Sequence, residues 1–159
     1  MSNPYNQDHR LLRLDTPLGT DVLIPLAVTG EEALSEDSWF SLEAFSESRH
    51  DLKPKDLIGK RCTFSIVQHD GSLRYFNGYA TELTQLGRSH NGQRSHYRLL
   101  LQSWLFLLDK GSDCRIFQEQ SVPDVLRKVF DDLDGRADCR FDLRREHKPR
   151  RYLTQYNES

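Results

Sequence analysis

The chain has 159 residues, which suits one globular domain, or one domain and the start of another. Its net charge of -2 and its pI of about 6.3 argue against a general binder of nucleic acid or acidic lipid. No run of residues approaches the roughly 20 apolar residues that cross a bilayer, and the polar first residues lack the apolar core of a signal peptide. Three widely separated cysteines indicate a reducing compartment and no disulfide framework: Cys62, Cys114 and Cys139.

The first part of the chain is predicted to hold a flexible tail and a β-barrel. Residues 1–10 are polar and predict the tail, whereas residues 11–109 contain short alternating runs that favour an antiparallel sheet. The first such run places four apolar residues at period two: Val22, Ile24, Leu26 and Val28. Pro25 within this run has no backbone N–H, so it predicts an edge strand or a bulge.

Further strands follow along the chain. Two apolar triplets at period two predict strands that each bury one face: Phe40, Leu42 and Ala44, then Cys62, Phe64 and Ile66. Asp70-Gly71 predicts a hairpin turn, and Gly78 in the middle of the next run predicts a bend. A long apolar-rich strand is predicted over residues 97–108. Together these strands predict a mainly β fold with a small antiparallel barrel.

Residues 110–159 are predicted to begin a second, α+β domain. Ser121 as the N-cap, Pro123 in the first turn and Asp124 three residues after the cap are typical of a helix start. Apolar residues at helical spacing follow, and Gly135 marks the end of the helix. A strand is predicted over residues 139–143. No core element closes the sequence, so this domain is expected to be truncated.

The sequence contains no pattern that predicts an active site. The six histidines are scattered without the spacing of a zinc site, and Cys62 shares a strand face with Phe64, which favours packing over nucleophilic chemistry. A Gly-x-Ser-x-Gly elbow, a phosphate-binding glycine loop and a His-Glu-x-x-His helix are all absent from the sequence. We therefore predict a protein that is not an enzyme and that has no catalytic residue, cofactor or metal.

An arginine-rich stretch over residues 136–151 supports the main alternative. Its cations are interleaved with aromatic residues, as on surfaces that bind nucleic acid. Six carboxylates over residues 131–146 offset these cations, which favours a solvated or interface-facing stretch. A nucleic-acid-binding β-barrel is kept as the alternative function, and the main prediction includes no nucleic acid.

Several motifs occur together, in a fixed order, along most of the chain. The most specific are Arg74-Tyr75-Phe76-Asn77-Gly78, Arg115-Ile116-Phe117-Gln118 and Gln155-Tyr156-Asn157-Glu158-Ser159. In this order they resemble the N-terminal region of VgrG, the spike protein of the type VI secretion system, from about Leu11 to Ser159. That region is similar to the hub protein of contractile phage tails. Ser103 departs from the pattern, since a proline is usual before the Trp-Leu pair.

The resemblance implies a structural role in a secreted puncturing device. It implies a homotrimeric hub that caps the tube protein Hcp, with a spike-tip protein and effectors bound through parts of the protein beyond the hub. Contact with the target membrane would be transient. The protein would be cytoplasmic before firing, then secreted by the type VI system without a signal peptide into the medium or the target cell.

Two surfaces are interface candidates under this hub hypothesis. An edge strand can pair with a neighbouring subunit, and a mixed-charge stretch can make salt-dependent contacts between subunits. The edge-strand candidates are Val22, Ile24, Leu26 and Val28. The charged candidates are Arg144, Arg145, Arg150 and Arg151.

Overall fold

A computed structural model describes residues 5–47, 50 and 52–158 of the chain. The chain divides into two compact units, Met1–Ser103 and Trp104–Ser159. This division falls a few residues before the domain boundary that the sequence predicts after residue 109. Residues 1–4 of the predicted tail lie outside the described residues. Residues 5–10 differ from the predicted flexible tail: they form a turn, and the Gln7 side chain is hydrogen-bonded to Leu14.

The first unit is a curled antiparallel sheet of six strands. These are β1 (Leu12–Asp15), β2 (Ile24–Glu31), β3 (Trp39–Glu47), β4 (Arg61–Val67), β5 (Leu73–Arg88) and β6 (Arg94–Gln102). They lie in the order β1-β4-β5-β6-β3-β2, so β1 and β2 are the two edges. The two edges approach each other, which gives the sheet the form of a half-barrel. The predicted mainly β fold with a curled antiparallel sheet is confirmed.

The core of the first unit lies against one face of this sheet. Alternate residues of β3 and β4 are buried there, as their period-two pattern predicts: Phe40, Leu42, Ala44, Cys62 and Phe64. The ring of Phe64 stacks on that of Phe76 with centroids 4.7 Å apart, and the ring of Phe40 packs edge-on against both. Each large apolar side chain buried in this way contributes about 1.5–3 kcal/mol. The first unit therefore has its own core.

Two glycines shape β5 and its neighbours. Gly71, with φ +81°, lies in the predicted hairpin between β4 and β5, where the Asp70 side chain accepts the Ser72 N–H at 2.9 Å. At Gly78 a Cβ atom would come within 3.0 Å of the Gln102 carbonyl oxygen on β6. Because β5 exchanges β4 for β6 as its partner near this point, glycine permits the close approach of the strands.

The second unit contains a two-stranded sheet and one α-helix. Strand β7 (Asp113–Gln120) pairs antiparallel with β8 (Arg150–Glu158), and α1 (Val122–Asp131) lies between them in the chain. A 3-10 helix over Trp104–Lys110 precedes β7.

Of two predicted strands, one is confirmed only in its first part and the other is wrong, and in both places side chains pack on α1. The strand predicted over residues 97–108 ends at Gln102 with β6. Trp104 follows it in the 3-10 helix, where its ring packs edge-on against Phe130 at 4.8 Å. No strand forms over residues 139–143; there the Phe141 ring lies 6.0 Å from that of Phe130.

The start of α1 is confirmed at the predicted residue. The Ser121 hydroxyl accepts the Asp124 N–H at 3.4 Å and donates to the Asp124 carboxylate at 2.5 Å. Pro123 occupies the first turn, where its missing N–H removes no helical hydrogen bond. The helix ends at Asp131, and Gly135 follows with φ +75°. This cap fixes the entry of the chain into α1.

Candidate interaction surfaces

The β2 edge contains a bulge that changes which side chains are exposed. The register of β2 against β3 shifts between Pro25 and Ala27, so the edge position and the bulge that Pro25 predicts are both present. Leu26 at the bulge is 48% exposed, whereas Ile24 is 1% exposed. The strict alternation read from the sequence therefore breaks inside the strand.

The four edge-strand candidates do not share one exposed face. Val22 precedes β2 and is half-buried, and Val28 packs against the core of the first unit. Ile24 is buried within the unit, so Leu26 is the candidate with a large exposed apolar surface on this edge.

The far end of β2 is held close to β3. A Cβ atom at Gly30 would lie 2.5 Å from the Trp39 carbonyl oxygen and would also overlap the Phe40 ring, so this position requires glycine. Beyond the strand, Glu32 accepts a salt bridge from Arg74 at 2.8 Å, with both side chains about half exposed. Exposed pairs of this kind contribute at most about 1 kcal/mol. The edge is thus shaped mainly by backbone packing.

The four charged candidates are all exposed. Arg144 and Arg145 lie in an irregular segment, and Arg150 and Arg151 begin β8. Opposite this start of β8, Arg150 is in register with Gln120 of β7. The structure therefore presents two pairs of cations to solvent, one pair on irregular chain and one on a strand.

An open apolar groove of about 300 Å³ follows α1 in the second unit. Its lining comes from α1, both strands and the 3-10 helix: Leu108, Phe117, Val122, Val125, Leu126, Val129, Phe130 and Leu153. Val122 and Leu126 remain 40% and 39% exposed. The apolar helix face predicted from periodicity is present, but the described part of the chain covers it only in part.

A charged cluster ties β7 to the end of α1. Arg115 on β7 pairs with Asp113 at 2.5 Å and also with Asp132, directly after the helix. The hydrogen bonds that Arg115 donates to Asp113 and then to Asp132 raise the pKa of Arg115, and the bond to Asp113 lowers the pKa of that carboxyl. These contacts hold the second unit together at its surface.

Metal-ligating and nucleophilic side chains are scattered among the described residues. Within residues 5–47, 50 and 52–158, no group of three or more His, Cys, Asp or Glu side chains is placed to hold a metal ion. Burial, followed by the charge of Asp15, raises the pKa of the Cys62 thiol to about 12, so this residue stays protonated at neutral pH. Cys62 is 1% exposed in the core, which confirms its predicted packing role. No helix in the described chain is long and apolar enough to cross a membrane.

These features define a β-rich protein with exposed charged and apolar surfaces. The chain matches the family model of the phage tail baseplate hub (GPD) over residues 31–159, and it belongs to that family.

Three relatives from Pseudomonas aeruginosa are type VI secretion system spike proteins. The chain is 41% identical to VgrG1b over 153 residues, which cover 96% of this chain and 20% of that protein. It is 38% identical to VgrG1c, covering 98% of this chain and 21% of the relative. It is 37% identical to VgrG1a, covering 94% and 23% respectively. The chain thus spans about a fifth of the length of these curated relatives, and the predicted resemblance is confirmed.

One solved structure supports the fold. The E. coli c3393 protein, described as a component of the type VI secretion system with structural similarity to the T4 bacteriophage tail proteins gp27 and gp5, superposes with a TM-score of 0.73. The match covers 92% of this chain and 39% of that chain at 22% sequence identity. The predicted phage-tail-hub type of fold is confirmed by this match.

Sequence reasoning did not select the groove as a surface. Helical periodicity identified Val122 and Leu126, but such a pattern is normally explained by burial within the same domain. Their partial exposure becomes evident only from the structure.

Proposed function

We propose that this chain is a structural, non-enzymatic part of a type VI secretion spike and acts by assembly. Family membership, together with 41% identity to a spike protein over 96% of the chain, carries the proposal. The arrangement of the described residues supports it, since Cys62 is a buried neutral thiol and the other features are contact surfaces. Shape and symmetry, rather than turnover, are then the basis of the function.

In this proposal the full-length protein is a homotrimer that caps the Hcp tube. The spike-tip protein and the effectors bind through other parts of the full-length protein, and the target membrane is met transiently. The protein resides in the cytoplasm before firing and is then secreted by the type VI system. The names of the relatives as type VI secretion system spike proteins support this assignment.

The subunit contacts in this proposal are the β2 edge and the exposed arginines. An edge strand presents backbone groups that a neighbouring strand can bond. The Pro25 carbonyl already accepts a hydrogen bond from Arg10, so the proposed contact on β2 lies beyond Pro25, where Leu26 adds an exposed apolar side chain. Arg144, Arg145, Arg150 and Arg151 supply charge for salt-dependent contacts. Val22 and Val28 support the edge, and Ile24 contributes by packing beneath it.

The groove along α1 receives another segment of the same polypeptide in the full-length protein. Two observations support this step: the groove is apolar and only partly covered, and the relatives are much longer than the matched region. Burial of Val122 and Leu126 by that segment would complete the second unit as a domain.

Co-sedimentation with Hcp tubes tests the proposal. We expect the full-length protein to pellet with the tubes and to form a trimer in solution. The double variant Arg150→Glu/Arg151→Glu should weaken trimer formation. Arg140→Glu is the matched control: this side chain is 88% exposed, and it makes only a 3.9 Å contact with Asp142.

The nucleic-acid alternative receives no support from the family or its relatives. It makes a distinct prediction in the same preparation. Binding to nucleic acid that falls steeply as salt rises, together with no binding to the tube, would favour that alternative and contradict the hub proposal.

A further inference from the structure

The residues before β1 cross the gap between the two edge strands of the first unit. Residues 5–10 form a compact turn, in which the Arg10 N–H donates to the Gln7 carbonyl at 3.1 Å. The Arg10 guanidinium also donates to the Asn6 carbonyl at 3.4 Å. This segment therefore has hydrogen bonds of its own in addition to its contacts with the sheet.

Gln7 occupies the place of a neighbouring strand at the β1 edge. Its side-chain oxygen accepts the Leu14 N–H at 2.6 Å, and its side-chain nitrogen donates to the Leu14 carbonyl at 3.0 Å. A carboxamide has one acceptor oxygen and donor N–H groups, like a peptide unit. Gln7 thus reproduces the pair of bonds that an opposing antiparallel residue would make.

Arg10 links the same segment to the other edge. Its guanidinium donates to the Pro25 carbonyl on β2 at 3.3 Å and lies 5.9 Å from the centre of the Phe45 ring. The β1 and β2 backbones are not hydrogen-bonded to each other in the sheet order. Residues 5–10 therefore provide a side-chain bridge where a closed barrel would have a ladder of backbone bonds.

Tyr5 anchors the beginning of the segment. Its ring packs edge-on against Phe45 of β3 with centroids 5.6 Å apart. The guanidinium of Arg94 on β6 lies 4.1 Å from the Tyr5 ring and 5.0 Å from the Phe45 ring, and it also donates to the Tyr5 hydroxyl. The segment is held at three separate places on the unit.

We propose that residues 5–10 are a strap that closes the half-barrel and prevents the β1 edge from pairing with a second copy of this chain. An edge strand with free N–H and C=O groups is a template for another strand. Gln7 occupies both backbone groups of Leu14, and the anchors at Tyr5 and Arg10 keep it there. Displacement of the strap exposes the edge.

Amide hydrogen exchange of the 159-residue chain tests the closure. We expect the Leu14 amide to exchange about tenfold faster in Gln7→Ala, as the loss of about one net hydrogen bond predicts. The exposed His9 in the same segment gives a matched control, since His9→Ala should leave Leu14 unchanged. Dividing the exchange rate of the Leu14 amide by that of the Leu99 amide, on the central strand β6, corrects for any change in global stability. An unchanged ratio in Gln7→Ala would overturn the closure.

Self-association tests the protective role of the strap. Light scattering of Tyr5→Ala/Gln7→Ala should show a mass that rises with concentration, while His9→Ala matches the unmodified chain. A double variant with faster Leu14 exchange but the unmodified mass at every concentration would overturn the protective role.

Discussion

The two units of this chain bury their apolar residues to very different extents. In the first unit, Leu42, Ala80, Leu99 and Leu101 are 0% exposed, and their neighbours form a continuous core. In the second unit, the buried residues within the described chain are Phe117, Ser121 and Pro123. The first unit is thus stabilised by its own interior, while the apolar face of α1 in the second unit remains partly exposed. Under the proposed hub function, that face is covered by another part of the full-length protein.

The largest expected effect is in the core of the first unit. Leu42→Ala removes a side chain with no exposed area and should lower the free energy of unfolding by about 2–5 kcal/mol. The same change at Leu126, which is 39% exposed on α1, should cost about 1 kcal/mol or less. Urea denaturation of the two variants measures both values. Equal losses would contradict the contrast between the units.

The buried Cys62 thiol should lower the stability of the first unit at alkaline pH. The pKa of Cys62 is raised by burial from 9.0 to about 12, so the folded state favours the protonated thiol. A group with a raised pKa contributes stability below its unfolded pKa and loses it as pH rises toward the folded value. We expect the stability of the first unit to fall between pH 9 and 12. Cys62→Val should remove this part of the pH dependence, as measured by denaturation across that range.

Removal of the Ser121 cap should have an intermediate effect on the stability of α1. Ser121→Ala removes the acceptor for the Asp124 N–H and should cost about 1 kcal/mol of helix stability. Circular dichroism and exchange of α1 amides measure this loss. Ser121→Asp keeps an acceptor at the cap and should retain most of the helix. If Ser121→Ala also sped up amide exchange in β3, the two units would not be independent in stability.

The smallest expected effect is acid sensitivity of the second unit. The Ser121 hydrogen bond lowers the pKa of Asp124, and the Arg115 hydrogen bond lowers that of Asp113. A lowered pKa contributes stability above the ordinary carboxylate pKa of 3.8, and this contribution is lost as pH falls through the folded value. Mild acid below pH 4 should therefore loosen α1 first. Asp124→Asn should show a smaller change over the same range.

Strong periodicity allowed the sequence to predict much of the first unit. The alternation of Phe40, Leu42 and Ala44 predicts β3 because one face of that strand is buried and the other is not. The helix start at Ser121 is likewise a local signal, since the cap and the proline act within one turn. Such elements can be read without knowledge of their partners.

Elements with weak apolar contrast were missed or misplaced. Strand β8 is mostly polar, and Tyr152 and Tyr156 on it are 56% and 77% exposed, so no run of alternating apolar residues marks it. Trp104 continues an apolar run, but its ring packs on Phe130 of α1 instead of extending β6. Pro25 predicts the bulge in β2, but the exposure of Leu26 there depends on how β2 meets β3, which a single strand's sequence does not encode.

The contact surfaces were only partly predictable for a similar reason. The exposure of arginines such as Arg150 can be predicted from their charge alone. The exposure of Leu126 cannot, because it depends on which parts of the second unit pack against α1. The bond from Gln7 to Leu14 joins a side chain to a strand edge, and no composition or spacing rule indicates it.

Amide exchange of α1 in two states tests the central claim most directly. In the 159-residue chain we expect the Val125 and Val129 amides to exchange much faster than the Leu42 amide, because the apolar face of α1 lines an open groove and is only partly buried. In the assembled full-length spike, α1 should become strongly protected while Leu42 is unchanged. Equal protection of α1 in both states would contradict the proposal that another segment of the full-length polypeptide completes the second unit.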